Sequence, residues 1–360
     1  MSTFGMDPRW QKLGDLLVNY SMAVKPGEKV MIAFIELETY PLVQAIYQAS
    51  IQAGAYPQVQ FLSEELNRVL LKYGSAEQVG WVPEIEAYGM EWADVYFGLR
   101  GAHNLDVFWD IASDKLALLR KAMGKISTLR WQKTRWCLLR VPNAALAQQA
   151  GVDEDTITEM FFDACLLDWP AVSQDWRRYA GRLSKGRQVR VVGKGTDLSF
   201  SIEGRGWDVA DGRLNMPDGE IATSPVESSL HGTITFDFPG VLGGRLMHDI
   251  RLTWEHGRLV EATASTNQDF LQSVVNTDPG ASLIGEFAIG TNPEIKIFCK
   301  DILLDEKIDG TIHVALGRAY PSVGGTNQSA IHWDIVKDMR QEGEIYLDGE
   351  LIYKQGKFLI

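Results

Sequence analysis

The chain has 360 residues, 45% of them hydrophobic and 23% charged, which is the composition of an ordinary soluble globular protein of about two domains. Forty-seven acidic residues against 35 basic ones give a formal net charge of −12, and no Lys/Arg block interrupts it, so a nucleic-acid backbone and an anionic membrane surface are both poor partners. Residues 1–27 lack the pattern of a signal peptide, no stretch of about 18 apolar residues occurs, and Cys137, Cys165 and Cys299 are too far apart for a CxxC motif, which together imply a cytoplasmic protein with buried thiols.

Residues 7–22 open with Asp7-Pro8, a capping residue followed by a proline at the first helical position, and predict a helix. Pro26-Gly27-Glu28-Lys29 then turns into the apolar run Val30 to Phe34. A helical stretch from Tyr40 to about Ala53 is ended by Gly54, and residues 57–62 read as the next strand. The same alternation recurs with Asp94 to Gly98, a helix at about 112–124, and Arg135 to Val141. Strands separated by helices of this length predict an α/β domain with a mostly parallel, doubly wound sheet over residues 1–185.

After Gly186 the candidate strands become short and alternating, at 187–192, 197–203, 232–238, 246–254 and 258–264. Glu255-His256-Gly257 reads as a hairpin turn between the last two, and Asp348-Gly349 as another near the end. A helix at about 266–276 and a further short helical segment interrupt the strands. Residues 186–360 are therefore expected to form a strand-rich α+β domain. The segment Gly98-Leu99-Arg100-Gly101-Ala102-His103 follows a strand but lacks phosphate-loop spacing, and no Gly-x-Ser-x-Gly elbow is present.

Six side chains of metal-ligating type lie in this second part: Glu220, Glu286, His313, Tyr320, His332 and Asp334. Their number exceeds what one tetrahedral zinc uses, and the absence of sulfur suits two first-row divalent ions sharing a carboxylate and a water. His332 and Asp334 are two apart, so a strand would aim both to one face while Trp333 points away. His313 lies in a strand-like run with apolar neighbours, where an isolated histidine is commonly a core residue. Glu286 sits in Ile284 to Gly290, an apolar stretch in which a carboxylate needs a partner or a metal. Glu220 stands where a loop leads into a strand, and Tyr320 precedes Pro321. A phenol ligates only when a nearby dication lowers its ordinary pKa of ~10.

The ordered segments KGTDLSFSI (194–202), NMPDGEIATSPVE (215–227), GEFAIGTNP (285–293), DEKIDGTIHVALGRAYPSVGGTN (305–327) and SAIHWD (329–334) resemble the aminopeptidase T family of bimetal leucyl-type aminopeptidases. The resemblance implies an N-terminal α/β domain, a metal-bearing C-terminal domain, and homodimers whose active sites face an enclosed cavity. It also implies that Glu220, Glu286, His313, Tyr320, His332 and Asp334 hold two ions. The chain departs from the family in a shorter N-terminal half, and in GEFAIGTNP and IHWD where some peptidase members differ.

The activity so implied is a metal-dependent aminopeptidase. Two ions, zinc, cobalt or manganese, would activate water against the first peptide bond of substrates with a free N-terminus. Glu220 or Glu286 is the expected general base, Glu286 or Asp334 the expected bridge, and Arg318 and His231 are candidates for supporting contacts. A competing reading takes His313, His332 and Asp334 as the two-histidine, one-carboxylate set of a mononuclear iron dioxygenase, the chemistry of a related dihydroxypyridine-cleaving branch. A third is a binding protein that keeps the fold without catalysis.

Overall fold

The run Val30 to Phe34 is buried along its whole length within the strand Lys29–Ile35. Such a strand needs cover on both faces, which a parallel sheet with flanking helices supplies. In the computed structural model it lies inside a four-stranded parallel sheet, with Tyr56–Leu62 on one side and Val95–Arg100, then Arg135–Arg140, on the other. The structure describes residues 7–104 and 106–360, and of residues 130–133 the backbone alone. Chain contacts group 1–166 with 212–217 as one unit, and 167–211 with 218–360 as a second.

In the first unit Asp7 caps the helix Pro8–Leu16 by accepting the amide of Arg9. From Leu17 to Ser21 the backbone widens into a π turn, so the predicted helix changes pitch before its end. The helix Tyr40–Gln52 is followed by Gly54 at φ +78°, a conformation glycine adopts without strain. The helix expected to stop near residue 124 runs from Ser113 to Lys133, because Gly124 is accommodated in its interior. Glu64–Tyr73, Glu84–Trp92, Ala144–Ala150 and Glu154–Cys165 supply further helices.

The second unit holds the helix Trp169–Leu183 and two larger antiparallel sheets. One has eight strands, running in spatial order from Arg258–Thr263 through His231–Thr235 and Gln188–Gly193 to Lys357–Phe358. Both predicted hairpins are present, with His256 and Gly257, and again Asp348 and Gly349, at positive φ as a two-residue type I′ turn requires. The strand predicted at 246–254 is instead two pieces. Asp249 at φ +51° ends the extended backbone, so Arg245–Met247 pairs with Gly240–Leu242 while Arg251–Glu255 joins the large sheet.

The other sheet has five strands in the order His332–Asp338, Thr311–Gly317, Ile284–Gly290, Glu220–Thr223 and Asp208–Ala210. A parallel sheet in the first unit accords with the mostly parallel sheet predicted for the first part of the chain, and the many strands of the second with its strand-rich reading. Among the described residues no helix is long and apolar enough to cross a membrane.

Candidate metal centre

The five-stranded sheet sorts its side chains by alternation. Ile221, Phe287, Ile289, Ile312, Val314, Leu316, Trp333 and Ile335 fall on one face and are all buried. Residues paired across antiparallel strands share a face, as do residues two apart along a strand. Glu286 pairs with Ala315 and Ala315 with Asp334; Ala288 pairs with His313; Gly290 pairs with Glu220; Gly317 pairs with His332. All five donors therefore stand on the opposite face from the apolar set. Between them the sequence places only small residues (Ala222, Ala288, Gly290, Ala315 and Gly317), which leaves room above the sheet.

Glu286 reaches that face through a bulge. Ile284 pairs with Leu316, yet Glu286 pairs with Ala315, so Gly285 is an extra residue in the strand. Were Gly285 paired with Ala315 in a regular strand, Glu286 would oppose Val314 and enter the apolar layer. A side chain at 285 would bring its Cβ to 2.5 Å from the carbonyl oxygens of Gly317 and Arg318, so the bulge needs glycine.

The donors converge on two histidines. His313 Nε2 lies 3.3 Å from Glu220 Oε2, 3.9 Å from Glu286 Oε1 and 4.0 Å from Asp334 Oδ1. His332 Nε2 lies 3.2 Å from Glu286 Oε2, 3.3 Å from Asp334 Oδ2 and 3.3 Å from the Tyr320 hydroxyl. Glu286 and Asp334 each turn one oxygen to His313 and the other to His332. His332 Nδ1 donates to the carbonyl of Arg318 at 2.6 Å, which keeps Nε2 directed at the carboxylates. The contact expected of Arg318 is thus made by its backbone. Tyr320 brings its hydroxyl to the cluster while the residue stays 42% exposed, whereas His313 is wholly buried.

Two acidic residues and a lysine that the donor count passed over complete the surroundings. Glu306 forms a ligand-distance group with His313 and Asp334. Lys307, wholly buried, contacts Glu306 Oε1, donates to Glu220 Oε1 at 2.7 Å, and lies 3.7 Å from Asp218. The visible signal was Asp305-Glu306-Lys307, three charged residues lying between the apolar Leu304 and Ile308 in a stretch otherwise suited to burial. His231 lies on a strand of the eight-stranded sheet, outside the five-stranded sheet that carries the donors.

Electrostatics follow from this crowding. Burial drives Glu220 up to about 7 despite the nearby Lys307 ammonium. Burial pushes Glu286 the same way, but the His313 and His332 imidazoles outweigh it and hold the carboxyl at about 2. His313 is pulled down by burial and raised more strongly by Glu286, Glu220 and Asp334, to about 9. Burial and the surrounding carboxylates lift the Tyr320 phenol well above its ordinary range. The pocket therefore favours positive charge at both histidines.

The residues fit divalent ions on a further observation. Glu220 Oε2, His313 Nε2 and Asp334 Oδ1 are buried and make no hydrogen bond. Leaving such atoms unsatisfied is costly, and one cation near His313 would satisfy all three. Glu220, Glu286 and His313 form one ligand-distance group, and Glu286, His332 and Asp334 form another.

Comparison with known proteins agrees with this chemistry. A family model described as thermophilic metalloprotease (M29) matches residues 6–358. Aminopeptidase 2 of Geobacillus stearothermophilus is 24% identical, over 97% of this chain and 96% of its own. Aminopeptidase T of Thermus thermophilus is also 24% identical, over 97% and 98%. The solved structure of wild-type AmpT from Thermus thermophilus superposes with a TM-score of 0.87 at 21% identity, covering 98% of this chain and 99% of that one, which establishes a shared fold.

Proposed function

The chain belongs to the M29 family of thermophilic metalloproteases and is a metal-dependent aminopeptidase; we propose that it removes the first residue of peptides using two divalent ions held by Glu220, Glu286, His313, Tyr320, His332 and Asp334. The observation that carries the two-ion reading is the split of Glu286 and Asp334, each with one oxygen toward His313 and one toward His332. Oxygen and nitrogen donors without sulfur suit zinc, cobalt or manganese. Charge supports the same count. Asp218, Glu220, Glu286, Glu306 and Asp334 face one ammonium, Lys307, so with neutral imidazoles two dications balance the pocket.

When bound, the ions supply Lewis acidity at the scissile carbonyl and lower the pKa of water toward ~7. The chain's own groups do the rest. Glu286, engaged at both oxygens by imidazoles, stays ionised and would serve both positions. A carboxylate of the cluster, Glu220 or Glu286, would take the proton of the attacking water and hand it to the leaving amine. Arg318 holds His332 in one tautomer through its carbonyl.

Residues 186–360 are the catalytic part in this reading, following in sequence a doubly wound α/β domain at 1–185. The exposed Tyr56, Phe61, Leu66 and Tyr73 offer apolar surface for a homodimer, and three buried thiols suit the cytoplasm. The test is elemental analysis of the purified protein together with Leu-p-nitroanilide cleavage after addition of zinc, cobalt or manganese. About two ions per chain with cleavage is the expected result; one iron per chain without cleavage would overturn it.

A further inference from the structure

Lys307 has no exposed surface, and its ammonium sits against Glu220 Oε1, Glu306 Oε1 and Asp218. Burying an ammonium is costly unless carboxylates pair with it. Two of its partners also serve the His313 side of the cluster. Glu220 turns its remaining oxygen to His313, and Glu306 groups with His313 and Asp334. The other group, Glu286, His332 and Asp334, has no lysine contact among the described residues. An oxygen that accepts from an ammonium offers less charge to a dication, and a fixed positive charge in a buried pocket repels a second one.

Resting on the two-ion reading, we propose that Lys307 makes the two ion positions unequal, with a tight one at Glu286, His332 and Asp334 and a weak, exchangeable one on the His313 side at Glu220, Glu286 and His313. Lys307 is thus a positioning residue that acts on ion occupancy through Glu220 and Glu306. It restricts full loading to conditions where the weaker ion is plentiful.

The experiment titrates cobalt(II) into the metal-stripped full-length protein at pH 8, read by calorimetry and by elemental analysis after dialysis. Wild type is expected to bind in two steps whose dissociation constants differ by at least about tenfold, the range over which neighbouring groups tune a metal site. Lys307→Met should strengthen the weaker step by about 10- to 100-fold and leave the tighter one in place, while Lys307→Arg keeps the gap. Glu220→Gln should abolish the weaker step alone, which tests the assignment even if Lys307→Met does not fold. Two equal steps in wild type, or a gap unchanged in a folded Lys307→Met protein, would overturn the proposal. If wild type takes one ion at saturation and Lys307→Met takes two, the lysine's role stands and the two-ion enzyme falls; one ion in both defeats both.

Discussion

Each unit carries a histidine set among acids, and the two sets differ in what they leave unsatisfied. In the first unit His103 lies 3.7 Å from Glu36 and 3.8 Å from Glu65, with its side chain 41% exposed. The buried Glu36 already accepts from the Ser63 hydroxyl and the Glu64 amide. In the second unit His313 is wholly buried among carboxylates, and atoms of Glu220, His313 and Asp334 have no hydrogen-bond partner. Residue type alone does not separate these clusters. Burial combined with missing partners does, because water or neighbouring amides serve the first set and neither serves the second.

The largest expected break between them is in activity. Glu286→Gln should lower Leu-p-nitroanilide cleavage by about a thousandfold or more, whereas His103→Ala should leave it within about twofold, both read as kcat/KM on proteins of matched fold. Equal losses in the two variants would erase the distinction. Thermal stability comes next. Stripping metal with a chelator should remove about 3 kcal/mol and lower Tm by roughly 5–10 °C, with the same fall in His103→Ala as in wild type. A Tm that ignores the chelator would mean that no ion is bound to the folded protein.

Glycines sharpen the contrast. Gly285→Ala forces its Cβ against two carbonyl oxygens and should cost about 1–3 kcal/mol, with weakened metal retention on dialysis. Gly124→Ala meets open space within a helix of the first unit and should stabilise by about 0.5–1 kcal/mol in urea unfolding.

The smallest effect concerns an acid that already has a protein cation. Glu227 lies 2.8 Å from Arg205, with side chains 15% and 9% exposed, and accepts from Thr326. Burial pushes its carboxyl up, but the backbone amides, Thr326 and Arg205 together hold it below its ordinary value. Its contribution is therefore present above the unfolded carboxyl pKa of ~4.3 and is lost as pH falls through the lower folded value. Glu227→Gln should destabilise by about 1 kcal/mol at pH 7 and by less near pH 3, as urea midpoints at the two pH values would register.

Much of the site could be read before the fold was known. His332 and Asp334 share a strand face because they are two apart, and the alternation in Thr311 to Gly317 separates His313, Ala315 and Gly317 from Ile312, Val314 and Leu316. Long-range placement was less legible. The contact of Lys307 with Glu220 joins residues far apart in the chain, and no local period announces it. The break at Asp249 and the π turn after Leu16 are decided by single backbone angles and by packing rather than by residue pattern.

Gly285 gives its strand the property of a parity bit. Residues before it count from one side of the sheet and residues after it from the other. A substitution along the sheet alters one side chain, whereas drawing Gly285 into regular pairing with Ala315 would send every residue after it to the other face. If the Ile284 end kept its register, Phe287 and Ile289 would turn toward the donors, and Glu286 would be driven in among Val314 and Leu316. That Gly285 stands outside the pairing is thus itself functional information, separate from which donors the strand carries.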